Sequence, residues 1–328
     1  MKPSLFVCQF FLLMTVFIPI IGIATPAASH LRRSDQSSIT YYLISNNQVS
    51  KSTELLVILQ GGDCHSVVHE QAIYESYRQV LPFADTVWVE KYGIDGNLPD
   101  VVGNLRQDCP AAYLEKDNYQ QRVEDLKQVI NHLRQQNGYR KIVLLGFQDG
   151  AVVTTLLTEQ LAQVNAIILI NGGGQYLQDD ILYKLRFLSS DDQAFLVNQR
   201  VFNAFADAVL KGEITKTNTD NHGYTWWKQA LQMDRQAKLA KINHPVLVIQ
   251  SGKDPFSSLS KTAMMIDNLQ RLGKTNIEYI AYPDIDHHFN DMSGKNRTGE
   301  VIDDIMLWLM PKMNEQQPSG NVLYRMRL

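Results

Sequence analysis

The chain has 328 residues, of which 45% are apolar and 20% charged, with a formal net charge of −3. That length suits one large α/β domain or two small ones. A near-neutral balance offers neither the basic surface that nucleic acid requires nor the polybasic patch of an anionic-membrane binder, so no nucleic-acid partner is expected.

The N-terminus reads as a targeting segment. Met1-Lys2 gives a positive start, residues 5–23 are almost wholly apolar, and Ala24-Thr-Pro-Ala-Ala-Ser29 offers small-residue cleavage sites after Ala27, Ala28 or Ser29. A signal peptide over 1–29 and export to a periplasm or the medium are expected. The competing reading is an uncleaved anchor, because the run is nearly long enough to span. No later stretch is apolar enough to cross a bilayer, so the mature chain should carry no membrane span. Cys8 leaves with the signal, and Cys64 and Cys109 remain. An even pair in an exported protein suggests a disulfide, the alternative being two buried thiols.

After a polar, flexible stretch at 30–37, the spacing predicts strands at 38–45 and 54–60 and a helix over 67–80. A strand at 85–90 follows, then an irregular segment at 91–113 and an amphipathic helix at 118–136 that Gly138 ends. Strands at 142–145 and 165–170 flank a helix that begins near Ala151. Residues 176–242 hold helical patterns but no strand, too much for a simple connection, and read as an inserted helical cap. Alternation resumes with a strand at 246–250, a helix at 259–272, a strand at 277–282 and a helix at 300–309. The tail from Pro311 is expected to pack loosely. Repeated β-then-α units with doubly apolar strands imply an α/β fold, a mostly parallel sheet with helices on both faces. The core spans 30–175 and 243–312, the cap 176–242 and the tail 313–328. Ligands in such sheets bind at the carboxyl ends of the strands.

Three loops at such ends carry possible chemistry. Gly146-Phe-Gln-Asp-Gly150 has the strand–turn–helix setting of a nucleophile elbow, G-x-S-x-G, with Gln148 where the serine would stand. A carboxamide has no ionisable proton and is a very poor nucleophile. In Ser251-Gly-Lys-Asp-Pro255, Asp254 can orient an imidazole, although such a loop is often only a turn. In Tyr282-Pro-Asp-Ile-Asp-His-His-Phe289, His287 or His288 can act as general base. A further loop, Gln60-Gly-Gly-Asp-Cys-His65, together with the apex, offers oxyanion donors in the N–H groups of Asp149 and of Gly62 or Asp63. His287 and His288 are adjacent and have no evident partner ligands, so no metal site is suggested. Gly172-Gly-Gly174 has neither the spacing nor the lysine of a phosphate loop, and no cofactor is expected.

Over residues 38–310 the sequence resembles the α/β-hydrolase superfamily, whose chain order of nucleophile, acid and histidine falls on Gln148, Asp254 and His287. The Gly-Lys-Asp-Pro and Asp-His-x-Phe forms are similar to the acid and histidine loops of dienelactone-hydrolase-like and exported peptidase- or esterase-like members. That resemblance selects His287 over His288. Two residues depart from it: Gln148, and Gln60 where a histidine often opens the oxyanion loop. Asp149, Ser66, Ser251 and Ser257 are possible substitute nucleophiles, but each reads more simply as an elbow, cap or turn residue. The resemblance implies an ester or amide substrate class with altered or lost nucleophile chemistry. The alternatives are a non-catalytic protein binding a small molecule or peptide in the same cleft, and a fold kept for assembly alone. Tyr224, Trp226 and Trp227 either line an apolar pocket or pack the cap onto the body.

Overall fold

A computed structural model describes residues 26–46, 51–101, 106, 108–161, 163–313 and 324–326. The apolar N-terminal run expected to be a signal lies outside the described residues. Nine strands are described: β1 (Ala28–Arg32), β2 (Ser38–Ile44), β3 (Glu54–Leu59), β4 (Asp85–Val89), β5 (Lys141–Phe147), β6 (Ala166–Ile170), β7 (Val246–Ser251), β8 (Ile277–Tyr282) and β9 (Tyr324–Met326). They form one sheet in the order β1-β2-β4-β3-β5-β6-β7-β8-β9. β1 and β2, and β2 and β4, pair antiparallel. From β4 to β9 every pairing is parallel.

The doubly apolar strands sit where both faces are covered. In β5, Ile142 and Leu144 point into one buried layer, and Val143 and Leu145 into the other. Each such side chain, fully withdrawn from water, contributes about 1.5–3 kcal/mol before the entropy of ordering is charged. The layers are closed by helices α1 (Gln71–Tyr77), α2 (Ala111–Lys116), α3 (Tyr119–Asn137), α4 (Asp149–Thr158), α9 (Leu259–Arg271) and α10 (Thr298–Met313). In α3 the expected stripe of Val123, Leu126, Val129, Ile130 and Leu133 is buried. Asn118 caps its start by accepting from the Gln121 amide, and Gly138 ends it at φ 76°. Between β6 and β7 the chain makes only helices: α5 (Leu177–Leu188), α6 (Asp192–Lys211), α7 (Tyr224–Gln232) and α8 (Arg235–Leu239).

Two expectations at the chain ends are overturned. The stretch at 30–37 is not a flexible lead: β1 extends into it as far as Arg32 and pairs with β2 from Ala28 opposite Tyr42 to Arg32 opposite Ser38. Arg33, just beyond β1, makes a two-pronged ion pair with Asp125 of α3, at 2.8 Å on both oxygens. Polar composition concealed the strand because β1 is an edge strand with no deeply buried face. Similarly, α10 does not stop near Leu309 but continues through Pro311 to Met313. The tail then supplies β9, beside β8. Pro311 falls in the last turn, so its missing N–H removes one helical bond at the end of α10 rather than in its middle.

Candidate functional site

The elbow is built by β5 and α4. A Cβ on Gly146 would stand 2.2 Å from the Gly150 carbonyl oxygen, and one on Gly150 would stand 2.4 Å from the Leu59 carbonyl oxygen. Only glycine allows that approach. Between them Gln148 is held at φ 49°, ψ −117°, a conformation that side-chain-bearing residues rarely adopt. Its side chain is thereby thrust into a cleft of about 390 Å³ at the carboxyl ends of the parallel strands, walled by Tyr74, Tyr77, Phe147 and Phe289.

Gln148, Asp254 and His287 come together. The Gln148 amide nitrogen bonds to Nε2 of His287. An amide nitrogen can only donate, so Nε2 accepts, and the ring proton belongs on Nδ1. Nδ1 lies 2.9 Å from Asp254 Oδ2. The contact is a close polar approach rather than a straight hydrogen bond, since Nδ1 is not aligned on an acceptor. Asp254 is fully buried and is fixed by the Phe256 amide at 2.8 Å and the Ser257 hydroxyl at 3.0 Å. The acid and histidine loops are joined by backbone bonds from Gly252 N–H to Tyr282 O and from Lys253 N–H to Ile285 O. His288 is exposed, and its ring stands edge-on to His287.

The loop after β3 is held from beneath by two cations. Arg122 donates to the Gln60 carbonyl at 2.6 Å and reaches the Gly61 carbonyl at 3.4 Å. Lys91, almost fully buried, donates to the Gly61 carbonyl at 3.1 Å. In a trans peptide the N–H points opposite the C=O, so with the Gly61 carbonyl drawn toward the cations, the Gly62 N–H faces away from them. Gly62, more than Asp63, therefore has the orientation of an oxyanion donor. The second expected donor, the Asp149 N–H, is at the first turn of α4, where amides have no helical partner. The Gln148 side-chain oxygen lies against this loop, 2.6 Å from where a Cβ on Gly61 would stand. One carboxamide thus reaches from the histidine to the oxyanion loop.

The serines weighed as substitute nucleophiles are engaged elsewhere. Ser66 donates to Glu90, Ser257 donates to Asp254, and Ser251 is fully buried in β7. The Asp149 carboxylate turns away from His287, accepting from Tyr119 at 3.1 Å and from the Trp226 indole at 2.7 Å. Burial pushes Asp149 above the ordinary carboxylate range against the opposing pull of Arg122 and Arg235.

Tyr224, Trp226 and Trp227 are absent from the walls of this cleft. Trp226 and Trp227 are buried, and Trp226 stacks on His222 at 3.4 Å between ring centroids. Burial holds His222 well below the usual imidazole range. These aromatic residues pack the helical segment onto the body. Cys64 and Cys109 are disulfide-bonded, clamping the oxyanion loop to the segment before α2.

Sequence reasoning missed Lys91 and Arg122, whose roles depend on contacts 30 and 61 residues away in the chain. It also missed Glu70, which lines the cleft beside Asp63. Burial works to raise Asp63, but the Lys91 ammonium and the His65 amide hold it below its ordinary range. Glu70 is pushed up by burial and by Asp63.

A family model described as BAAT / Acyl-CoA thioester hydrolase C terminal matches residues 122–291, more than half of the chain. The chain belongs to this family. The match takes in Gln148, Asp254 and His287 together. Solved structures show that this BAAT-family chain has the α/β-hydrolase fold. Est1E from Butyrivibrio proteoclasticus superposes with a TM-score of 0.58 at 11% identity, covering 88% of this chain and 99% of that one. The Pyrococcus furiosus esterase Pf2001 gives 0.56 at 12%, covering 87% and 89%. The Pyrococcus horikoshii acylaminoacyl peptidase gives 0.59 at 13%, covering 91% of this chain but 44% of the peptidase. At such identities the likeness concerns the fold. No curated protein sequence matches the chain.

Proposed function

We propose that this protein engages acyl ester or thioester ligands in the cleft above Gln148 without forming an acyl-enzyme. The observation that carries this reading is the bond from the Gln148 amide to His287 Nε2. The lone pair that would take a serine proton is occupied by a donor that cannot become a nucleophile. The family match supports the acyl class, and Ile73, Phe147 and Phe289 give the cleft an apolar side against which an acyl part can lie. The Gln148 carboxamide then serves as a recognition group, its oxygen resting where a ligand carbonyl would find the loop amides.

A second reading is direct hydrolysis by water, and the Asp254–His287 contact favours it. When the Gln148 amide swings aside, His287 Nε2 takes a proton from water as the hydroxide adds to the ligand carbonyl. The resulting oxyanion is held by the Gly62 and Asp149 N–H groups. The tetrahedral species collapses by breaking the bond to the leaving oxygen or sulfur, which receives the proton from His287. Export is part of the proposal, supported by the apolar N-terminal run and by a disulfide of the kind that persists in oxidising compartments. Cleavage after Ala27 would leave β1 whole.

The test is a panel of short-chain nitrophenyl esters and acyl-CoA thioesters. Wild type, Gln148→Ser, His287→Ala and the double variant are compared for turnover, and wild type for calorimetric binding. Saturable binding by wild type without turnover, with His287-dependent hydrolysis in Gln148→Ser, supports the first reading. Wild-type turnover abolished by His287→Ala supports the second. Neither binding nor turnover across the panel rejects both.

A further inference from the structure

Beside the triad positions, the cleft has a second polar cluster for which acyl chemistry has no use. One ligand atom each from Asp63, His65 and Glu70 lie within 4.8 Å of one another. Asp63 and Glu70 also line the same cleft as Gln148 and His287. We infer that Asp63, His65 and Glu70 form a binding site for one divalent transition-metal ion, zinc by the character of its donors, at the wall of the cleft.

Two observations carry this. The first is the donor set: one imidazole and two carboxylates from separate turns of one short segment, leaving room for a fourth ligand from the cleft side. Donors around a tetrahedral zinc at about 2.0–2.2 Å stand about 3.4 Å apart, so the side chains need close by little more than an ångström. The second is the state of the individual atoms. Nε2 of His65 is buried without a hydrogen-bond partner. Such an atom in a polar setting asks for an explanation, and a metal ion is one. Asp63 accepts from the His65 amide and from Lys91 through Oδ1, and Glu70 accepts from the Tyr74 hydroxyl through Oε2, so each keeps its other oxygen for an ion.

The local chain is built to hold such an ion. The Cys64–Cys109 disulfide lies between Asp63 and His65 in sequence and restrains both ligands at once. Glu70 follows in the single helical turn Val67–Glu70. The site is distinct from the adjacent pair His287 and His288, and it stands whether or not the cleft turns over an acyl ligand.

The test uses the mature, disulfide-intact protein stripped with chelator and titrated calorimetrically with zinc chloride. One equivalent is expected to bind with micromolar or tighter affinity. Glu70→Gln and His65→Ala should each weaken binding at least tenfold, and His30→Ala, in the distant edge strand, should leave it unchanged. Absence of binding, or equal affinity in wild type and both ligand variants, overturns the assignment. Should His65→Ala fail to fold, wild-type crystals soaked in zinc decide. An anomalous peak within bonding distance of His65 and the two carboxylates supports the site, and peaks only elsewhere reject it.

Discussion

Trp226 Nε1 donates to Asp149 Oδ2 at 2.7 Å, joining the inserted helices to the residue immediately after the elbow apex. The Tyr119 hydroxyl donates to the other oxygen of that carboxylate, and the Tyr119 and Trp226 rings meet edge-on at 5.9 Å. Trp226→Phe keeps the packing but removes the donor. Hydrogen bonds to charged groups contribute about 1.5–3 kcal/mol, so the variant should lose about 2 kcal/mol of stability in urea unfolding. An unchanged midpoint would mean that the indole bond contributes nothing to the fold.

Gln148→Ser should give the site a side chain that can attack a carbonyl. The serine would inherit a histidine whose orientation is set by other residues, and an elbow that already has the required backbone. Hydrolysis of a good nitrophenyl ester should rise by about a hundredfold or more over wild type, well short of the roughly millionfold that a serine contributes in an evolved triad. No rise in rate, with the variant folded, would show that the oxyanion donors are not aligned.

Gln148→Gly tests the backbone alone. A non-glycine residue at φ 49°, ψ −117° stores about 1–3 kcal/mol, and glycine relieves it while losing about 0.5–1 kcal/mol to unfolded-chain entropy and the contact with His287. The expected outcome is a denaturation midpoint equal to or above wild type. A clear loss of stability would mean that the Gln148–His287 bond outweighs the strain.

Asp117 gives stability a pH dependence. It is 3% exposed, its Oδ1 has no hydrogen-bond partner, and burial pushes its carboxyl from 3.8 up to about 7. Between pH 4 and 7 the unfolded chain has released a proton that the folded chain keeps. This group's contribution therefore falls with rising pH across that window and levels off above it. At about 1.4 kcal/mol per unit, the cost at pH 8 is on the order of 4 kcal/mol. Asp117→Asn should therefore stabilise the protein at pH 8 and have little effect at pH 4. Equal effects at both pH values would reject the assignment.

The Cys64–Cys109 bond closes a loop with a sequence separation of 45. On the chain-entropy model this contributes about 4 kcal/mol. Reduction should lower the guanidinium midpoint accordingly, and a mild reductant should weaken ligand binding before global unfolding because the oxyanion loop is freed first.

How much of this the sequence reveals depends on the range of the contact involved. The apolar runs of β3, β5, β6 and β7 announce a buried parallel sheet because both their faces are covered. The Gly146–Gly150 spacing announces the elbow because steric exclusion acts within five residues. The order Gln148, Asp254, His287 was legible because each lies in the loop that follows a strand. β1 and β9 were not, since edge strands can be polar and short. Lys91 and Arg122 escaped because an ordinary basic residue in a sequence gives no sign that its head will be buried under a loop carbonyl. Glu70 escaped for a related reason: its pairing with Asp63 depends on how one helical turn faces the cleft.

The backbone bonds joining the Asp254 and His287 loops, Gly252 to Tyr282 and Lys253 to Ile285, involve no apex side chain. The acid and base are therefore anchored independently of whatever stands at position 148. Such a scaffold is chemically modular. The side chain at position 148 can be exchanged without loosening the loops that carry Asp254 and His287.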